Sequence, residues 1–192
     1  PRAPPAAHAP VSVVISDFAN STGDPGLDRT LEPVLKLSLE SAPFITAYAH
    51  SDVRRALNVE PPEKFDERAA NELAVKQGLG VVVGGAIERS GDGYRVRATA
   101  RQAVTGTVVA EAEKDAPRRE AVLAAVGSVA DDIRQRLGDE TSEAEQRFAM
   151  ETLTATSLDV VHDYAVAMDA LSSSQFDKAL ASFRVAVERD PN

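Results

Sequence analysis

The chain has 192 residues, 43% of them hydrophobic but only 5% aromatic, with no cysteine and no tryptophan. That length holds one ordinary domain and part of a second, and the apolar share is enough for a core built on Val, Leu, Ile and Ala. A net charge of −9 argues against a nucleic-acid or anionic-lipid surface, and the missing cysteines exclude disulfides, Cys-based zinc sites and thiol catalysis. No apolar run approaches the ~20 residues of a membrane span, so membrane attachment is expected only through a segment outside this sequence. Residue 1 is proline rather than methionine and no signal peptide is legible, which reads as a piece of a longer protein.

In chain order, Pro1 to Pro10 carries four prolines and four alanines and reads as an extended linker. Val11 to Phe18 (VSVVISDF) predicts a buried strand, followed by a loop over Asn20 to Gly26. Apolar residues at helical spacing predict a helix over Leu27 to Ser41, bent or started at Pro33. A second strand is expected over Phe44 to Ala49, then a short helix through Leu57 with Ser51 as its N-cap. Asp66 to Gln77 predicts another helix, closed by Gly78.

Three hairpin-linked strands follow at Leu79 to Glu88, Tyr94 to Ala103 and Thr107 to Glu113. In the middle one Tyr94, Val96, Ala98 and Ala100 alternate with Arg95, Arg97, Thr99 and Arg101, so one face is expected buried and the other wet. Glu120 to Leu137 returns to helical period and stops at Gly138. The order βαβα(α)βββα gives an α/β (α+β) domain with a mixed sheet of about five strands and packed helices over residues 11–140. Residues 141–192 lose the strand pattern. Ser142 to Met150 reads as a connecting helix, and Ser157 to Leu171 with Phe176 to Glu188 as a helical hairpin.

In that hairpin Ala179, Phe183, Ala186 and Pro191 fall at the spacing of the second helix of a tetratricopeptide repeat, with Phe176 and Asp177 at the turn. A generic amphipathic hairpin is the plainer alternative, and the first helix departs from the motif: Asp163 stands at the usual Trp position and Val166-Ala167 replace Leu-Gly. One repeat cannot bury its own face, so either more repeats follow Asn192 or the hairpin caps the α/β domain.

The run VISDFANSTGDPGLDRTLEPVLKLSLESAPF (Val14 to Phe44) resembles the opening of a TolB amino-terminal-like domain. GLGVVVGGAIERSGDGYRVRATARQAVTGTVVAEAE (Gly78 to Glu113) and LAAVGSVADDIRQRLGDE (Leu123 to Glu140) are similar to its later segments. The resemblance covers nearly everything after the linker. It implies a non-catalytic sensor or protein-interaction module of a bacterial signalling protein, as in the extracytoplasmic (periplasmic) region of membrane-anchored eukaryotic-like serine/threonine kinases. A cytoplasmic regulatory segment of an adenylate cyclase or a winged-helix regulator is the alternative. The expected partner is a protein, a peptide or a second copy in a homodimer. No Gly-rich phosphate loop, HRD or DFG occurs, so the chain itself is not expected to transfer phosphoryl groups.

Several constellations are chemically suggestive. Asn20, Ser21, Thr22 and Gly23 precede a helix whose first amides suit an anion, while Asp17, Asp24 and Asp28 suit a cation without EF-hand spacing. The same residues also serve as loop formers and caps. Gly78, Gly80, Gly84 and Gly85 match neither GxGxxG nor a P-loop and read as bulges or tight packing. Arg95, Arg97 and Arg101 form a stripe that suits an acidic partner, or simply the wet face of a sheet. His50-Ser51-Asp52 contains triad residue types, but adjacency in sequence is not triad geometry. No cofactor or metal motif is legible, and none is expected.

Overall fold

The computed structural model describes residues 9–139 and 157–190. The expected helix over 142–150 and the repeat-signature Pro191 lie outside them. The elements in order are β1 (Val11–Ile15), β2 (Ala19–Ser21), α1 (Leu31–Glu40), β3 (Ile45–Tyr48), α2 (His50–Leu57), α3 (Glu67–Gln77), β4 (Val81–Ser90), β5 (Gly93–Gln102), β6 (Val108–Ala116), α4 (Val122–Arg136), α5 (Leu158–Ser172) and α6 (Phe176–Arg189). One mixed sheet of six strands results, ordered β3-β1-β4-β5-β6, with β2 pairing β4 beyond the end of β1. β1 runs parallel to both β3 and β4, whereas β4, β5 and β6 form an antiparallel meander.

Helices cover the sheet unequally. Leu31, Leu35 and Leu39 of α1 and Val122, Val126, Val129 and Ile133 of α4 bury one face, against Val13, Ile15, Val83, Ile87 and Val96. On the other face Val53 of α2, Phe65, and Ala70, Leu73 and Ala74 of α3 cover Val14 and Val82. That second layer stops there. Arg97, Arg101, Glu111, Glu113 and Asp115 of β5 and β6 stay exposed. The alternation expected in β5 is therefore what the sheet shows: Tyr94, Val96, Ala98 and Ala100 are buried.

Local chemistry moved several boundaries. The first strand ends at Ile15, and Ala19–Ser21 forms a separate short strand beside Ala86–Glu88. The helix expected from Leu27 begins at Leu31, because Pro25–Leu27 closes a 3-10 turn and Arg29 takes a left-handed φ of 54°. Pro33 then sits in the first turn, where its missing N–H is harmless. Ser51 is not an N-cap: it lies inside α2, whose cap residue is Ala49, and the Asp52 carboxylate accepts the Ala49 N–H at 3.2 Å. Asp66 caps α3 through the Ala69 N–H, and Gly78 ends it at φ 67°.

Gly84 and Gly85 sit in an unbroken β4–β5 ladder opposite Thr99 and Ala98, so close packing rather than a bulge accounts for them. A Cβ on Gly85 would lie 2.3 to 2.5 Å from three atoms of the Phe18 ring. Gly85→Val is expected to destabilise the domain by about 2 kcal/mol through this overlap. A urea midpoint matching wild type would show that Phe18 moves aside freely.

Candidate functional site: the loop after β1 and the hairpin seated on it

The loop from Asp17 to Thr30 is held by its own side chains. The Asn20 amide donates to the Asp24 carbonyl (2.9 Å) and the Asp28 carboxylate (2.6 Å), and its carbonyl oxygen accepts from the Thr22 N–H and hydroxyl. Thr22 Oγ1 in turn accepts the Asp24 N–H at 3.1 Å, and the Asp24 carboxylate accepts the Gly26 N–H at 2.9 Å. Such side-chain turns stand in for backbone pairing where no strand or helix is available. Of the four loop residues expected to contact a ligand, Asn20 and Thr22 direct these polar atoms inward to one another, and Gly23 supplies a left-handed turn at φ 78°.

What the loop carries outward is a seat for the hairpin. Helix α5 packs on the Pro25–Leu27 turn, α1 and α2. Leu158, Val161 and Ala165 are buried, and His162 and Asp169 continue the same helical face. The hairpin thus caps the α/β domain, one of the two arrangements expected of it. Among the described residues, three polar links fasten the seam. Arg119 bridges Asp24 of the loop and Asp159 of α5, each at 3.0 Å. Thr30 Oγ1 and His162 Nδ1 are 2.9 Å apart. Arg29 donates to Asp169 at 3.0 Å and to the Glu63 carbonyl at 2.8 Å, with Asp17 at 3.9 Å. The hydrogen bond from Arg119 holds the Asp24 carboxyl below the usual carboxylate range.

Beneath the seam lies a polar cluster that the sequence did not reveal. Asp17 faces His50 Nδ1 at 3.2 Å and accepts the Phe65 N–H at 3.2 Å. His50 therefore turns to Asp17, while Asp52 holds Lys36 at 2.9 Å and Arg55 at 3.0 Å. The residue types His50, Ser51 and Asp52 are not brought into a triad. Behind Asp17, Glu32 of α1 is 4% exposed, and its Oε1 accepts the Phe18 N–H at 2.6 Å. Among the described residues its Oε2 has no hydrogen-bond partner. Burial above all, with the nearby Asp17 charge adding to it, lifts the Glu32 carboxyl to about 7. A cleft of roughly 380 Å³ opens beside the cluster, lined by Arg29, His50, Arg54, Glu60, Glu63 and Asp169 among others. Within it Arg54 pairs with Glu60 and Arg29 with Asp169.

The arginine stripe divides. Arg95 lies opposite Asp115 (2.8 Å) and Arg97 opposite Glu113 (2.5 Å), each an in-register cross-strand pair. A register shift after Ala100 leaves Arg101 facing Val108, in a shallow hollow with Arg68, Asn71 and Gly84. Changing Arg95 and Arg97 to Gln is expected to leave the thermal midpoint near wild type, since exposed pairs are screened. A clear drop in that midpoint at high salt would contradict this.

In the hairpin, Ala179 and Ala186 are buried, and Phe183 meets Tyr164 edge-on at 5.9 Å. Phe176 is 67% exposed. Arg189 closes the hairpin onto Asp163 at 2.6 Å. Among the described residues no helix is long and apolar enough to cross a membrane, and no cluster of metal-ligating side chains occurs.

No family model and no curated protein matches the sequence. Solved structures similar in shape include the LpoB C-terminal domain from Salmonella enterica (13% identity, TM-score 0.47, covering 58% of this chain and 86% of that one). A PelC dodecamer from Paraburkholderia phytofirmans is 19% identical (TM-score 0.46, 72% of this chain and 94% of that one). TolB from Acinetobacter baumannii is 20% identical, with a TM-score of 0.46 over 69% of this chain and 29% of its own length.

Proposed function

We propose that the chain is a non-catalytic protein-interaction module of a bacterial signalling protein, working outside the cytoplasm as part of a membrane-anchored serine/threonine kinase. In this reading α5 and α6 are a first tetratricopeptide-type hairpin and present the surface that a protein or peptide partner covers. The observation that carries it is an apolar stripe on the outer side of the hairpin. Phe176, Leu180 and Val187 of α6 recur at helical spacing and are 67%, 58% and 62% exposed, with Tyr164 of α5 46% exposed beside them. A chain of net charge −9 that leaves such a stripe in water is matched to something that buries it. The envelope and kinase setting is supported by the resemblance of Val14 to Phe44 and Gly78 to Glu113 to TolB amino-terminal-like domains.

The test uses the intact parent protein. Leu180→Asp with Val187→Asp is expected to abolish capture of the partner by crosslinking while circular dichroism stays unchanged, and Arg97→Gln is expected to retain capture. Finding no partner, with residues 157–190 deletable without altering signalling output, would count against the proposal.

A further inference from the structure

Among the described residues, the link between the α/β domain and the hairpin that leads to a buried acid is the Arg29 link, and Arg29 is shared. Its guanidinium serves Asp169 on α5, the Glu63 carbonyl and, more distantly, Asp17. Glu32 adjoins this link, since its Oε1 accepts the N–H of Phe18, the residue that follows Asp17. We propose that Glu32 is a proton-operated latch: protonated, it leaves Arg29 to tether α5 through Asp169, and ionised, it competes for Arg29 and loosens the hairpin from its seat.

Geometry supports each step. Oε1 accepts the Phe18 N–H at 2.6 Å, and the Phe18 ring packs over Gly85, which holds the carboxyl on the inner side of the loop. Oε2 is buried without a partner, an arrangement tolerable for a neutral carboxylic acid and costly for an anion. Ionisation would also add the Glu32 charge to that of nearby Asp17, which faces Arg29 at 3.9 Å. Relief comes from drawing Arg29 inward or from admitting water, and both disturb residues 25–30, which carry the turn and the Thr30 hydroxyl that α5 meets.

The other charged groups around this point are His50 at the start of α2, Asp24 and Asp28 in the loop, and His162 and Asp169 on α5. Helix α4 meets α1 at its far end, through Arg134 and the Ser38 carbonyl, and Lys36 faces Asp52 of α2. His50 and His162 both lie close to the seam, so the experiment separates them from Glu32 by substitution.

Because the chain has no native cysteine, Arg118→Cys and Lys178→Cys place two nitroxide labels, one on the domain and one on the hairpin. At pH 6 one narrow distance distribution is expected. At pH 8.5 a second, broader population should grow several-fold, with its midpoint set by Glu32. Glu32→Gln should keep the narrow distribution at both pH values. If Glu32→Gln does not fold, Asp169→Asn, at an exposed position, should give the broad population at both. Identical wild-type distributions at the two pH values, a transition that persists in Glu32→Gln, or an Asp169→Asn variant that behaves as wild type would each overturn the latch. The readout is the internal seam, so it is independent of whether a partner binds the outer stripe.

Discussion

Arg134→Met is expected to lower the unfolding free energy by about 3 to 5 kcal/mol, read as a drop in the urea midpoint. Arg134 is 1% exposed, inside the layer where α4 crosses α1. Its Nη1 donates to the Ser38 carbonyl at the end of α1 at 2.6 Å. Asp131 lies 2.9 Å and Asp139 3.1 Å from the other guanidinium nitrogens. Methionine keeps most of the stem's packing but deletes the charge that two carboxylates share, one of them also buried. Desolvated carboxylates without that charge are costly, so the loss should exceed that of any surface pair in the molecule. Adding Asp139→Asn should recover part of it, because the double variant removes a buried charge together with its partner. A loss under about 1 kcal/mol for Arg134→Met, the size of an exposed ion pair, would sink this account.

Glu32→Gln is expected to stabilise the protein above neutral pH. The Glu32 carboxyl is raised from 4.5 to about 7 in the folded state. Between those values the folded state binds more protons than the unfolded one, so stability falls as pH rises through the window. Above pH ~7 the full cost is present, and below pH ~4.5 it is gone. Glutamine keeps an oxygen for the Phe18 N–H and carries no charge, so the variant should gain up to about 3 kcal/mol near pH 8. The two proteins should converge near pH ~4. Urea midpoints measured across this range check it, and parallel profiles for the two proteins would show that Glu32 is already hydrated in the native state.

The parts of the fold written in strong periodicities were legible. β5 shows why: Tyr94, Val96, Ala98 and Ala100 set a period of two that only one pairing of faces satisfies. Gly91 at φ 59° and Gly106 at φ 70° marked its two ends. Three-residue β2 was not legible, since its pairing with β4 depends on where β1 stops rather than on its own composition. The start of α1 was misplaced because Leu27 and Leu31 fit one helical stripe, although Arg29 between them is left-handed. Ser51 looked like a cap by residue type, but the Asp52 carboxylate bonds the Ala49 N–H and shifts the helix start.

The seam was hidden for a different reason. Thr30–His162 and Arg29–Asp169 join residues more than a hundred positions apart, which no local pattern encodes. Glu32 and Arg134 did leave a trace. Each stands at helical spacing with buried apolar residues, Glu32 with Leu35 and Leu39, Arg134 with Val126 and Ala130. A charged residue on an apolar stripe is the sequence signature of a buried ion, and it was there to be read.

The position of β1 has a mechanical consequence. It is the first strand among the described residues, yet it lies in the interior of the sheet, hydrogen-bonded to β3 on one side and β4 on the other, both in parallel. Tension entering through the residues before Val11 therefore loads an interior strand along its length, and the two ladders share that load in shear. They must yield together, and their failure splits β3 from the β4–β6 meander. The domain should thus resist pulling from its N-terminal flank as one unit, giving way in a single step rather than peeling strand by strand.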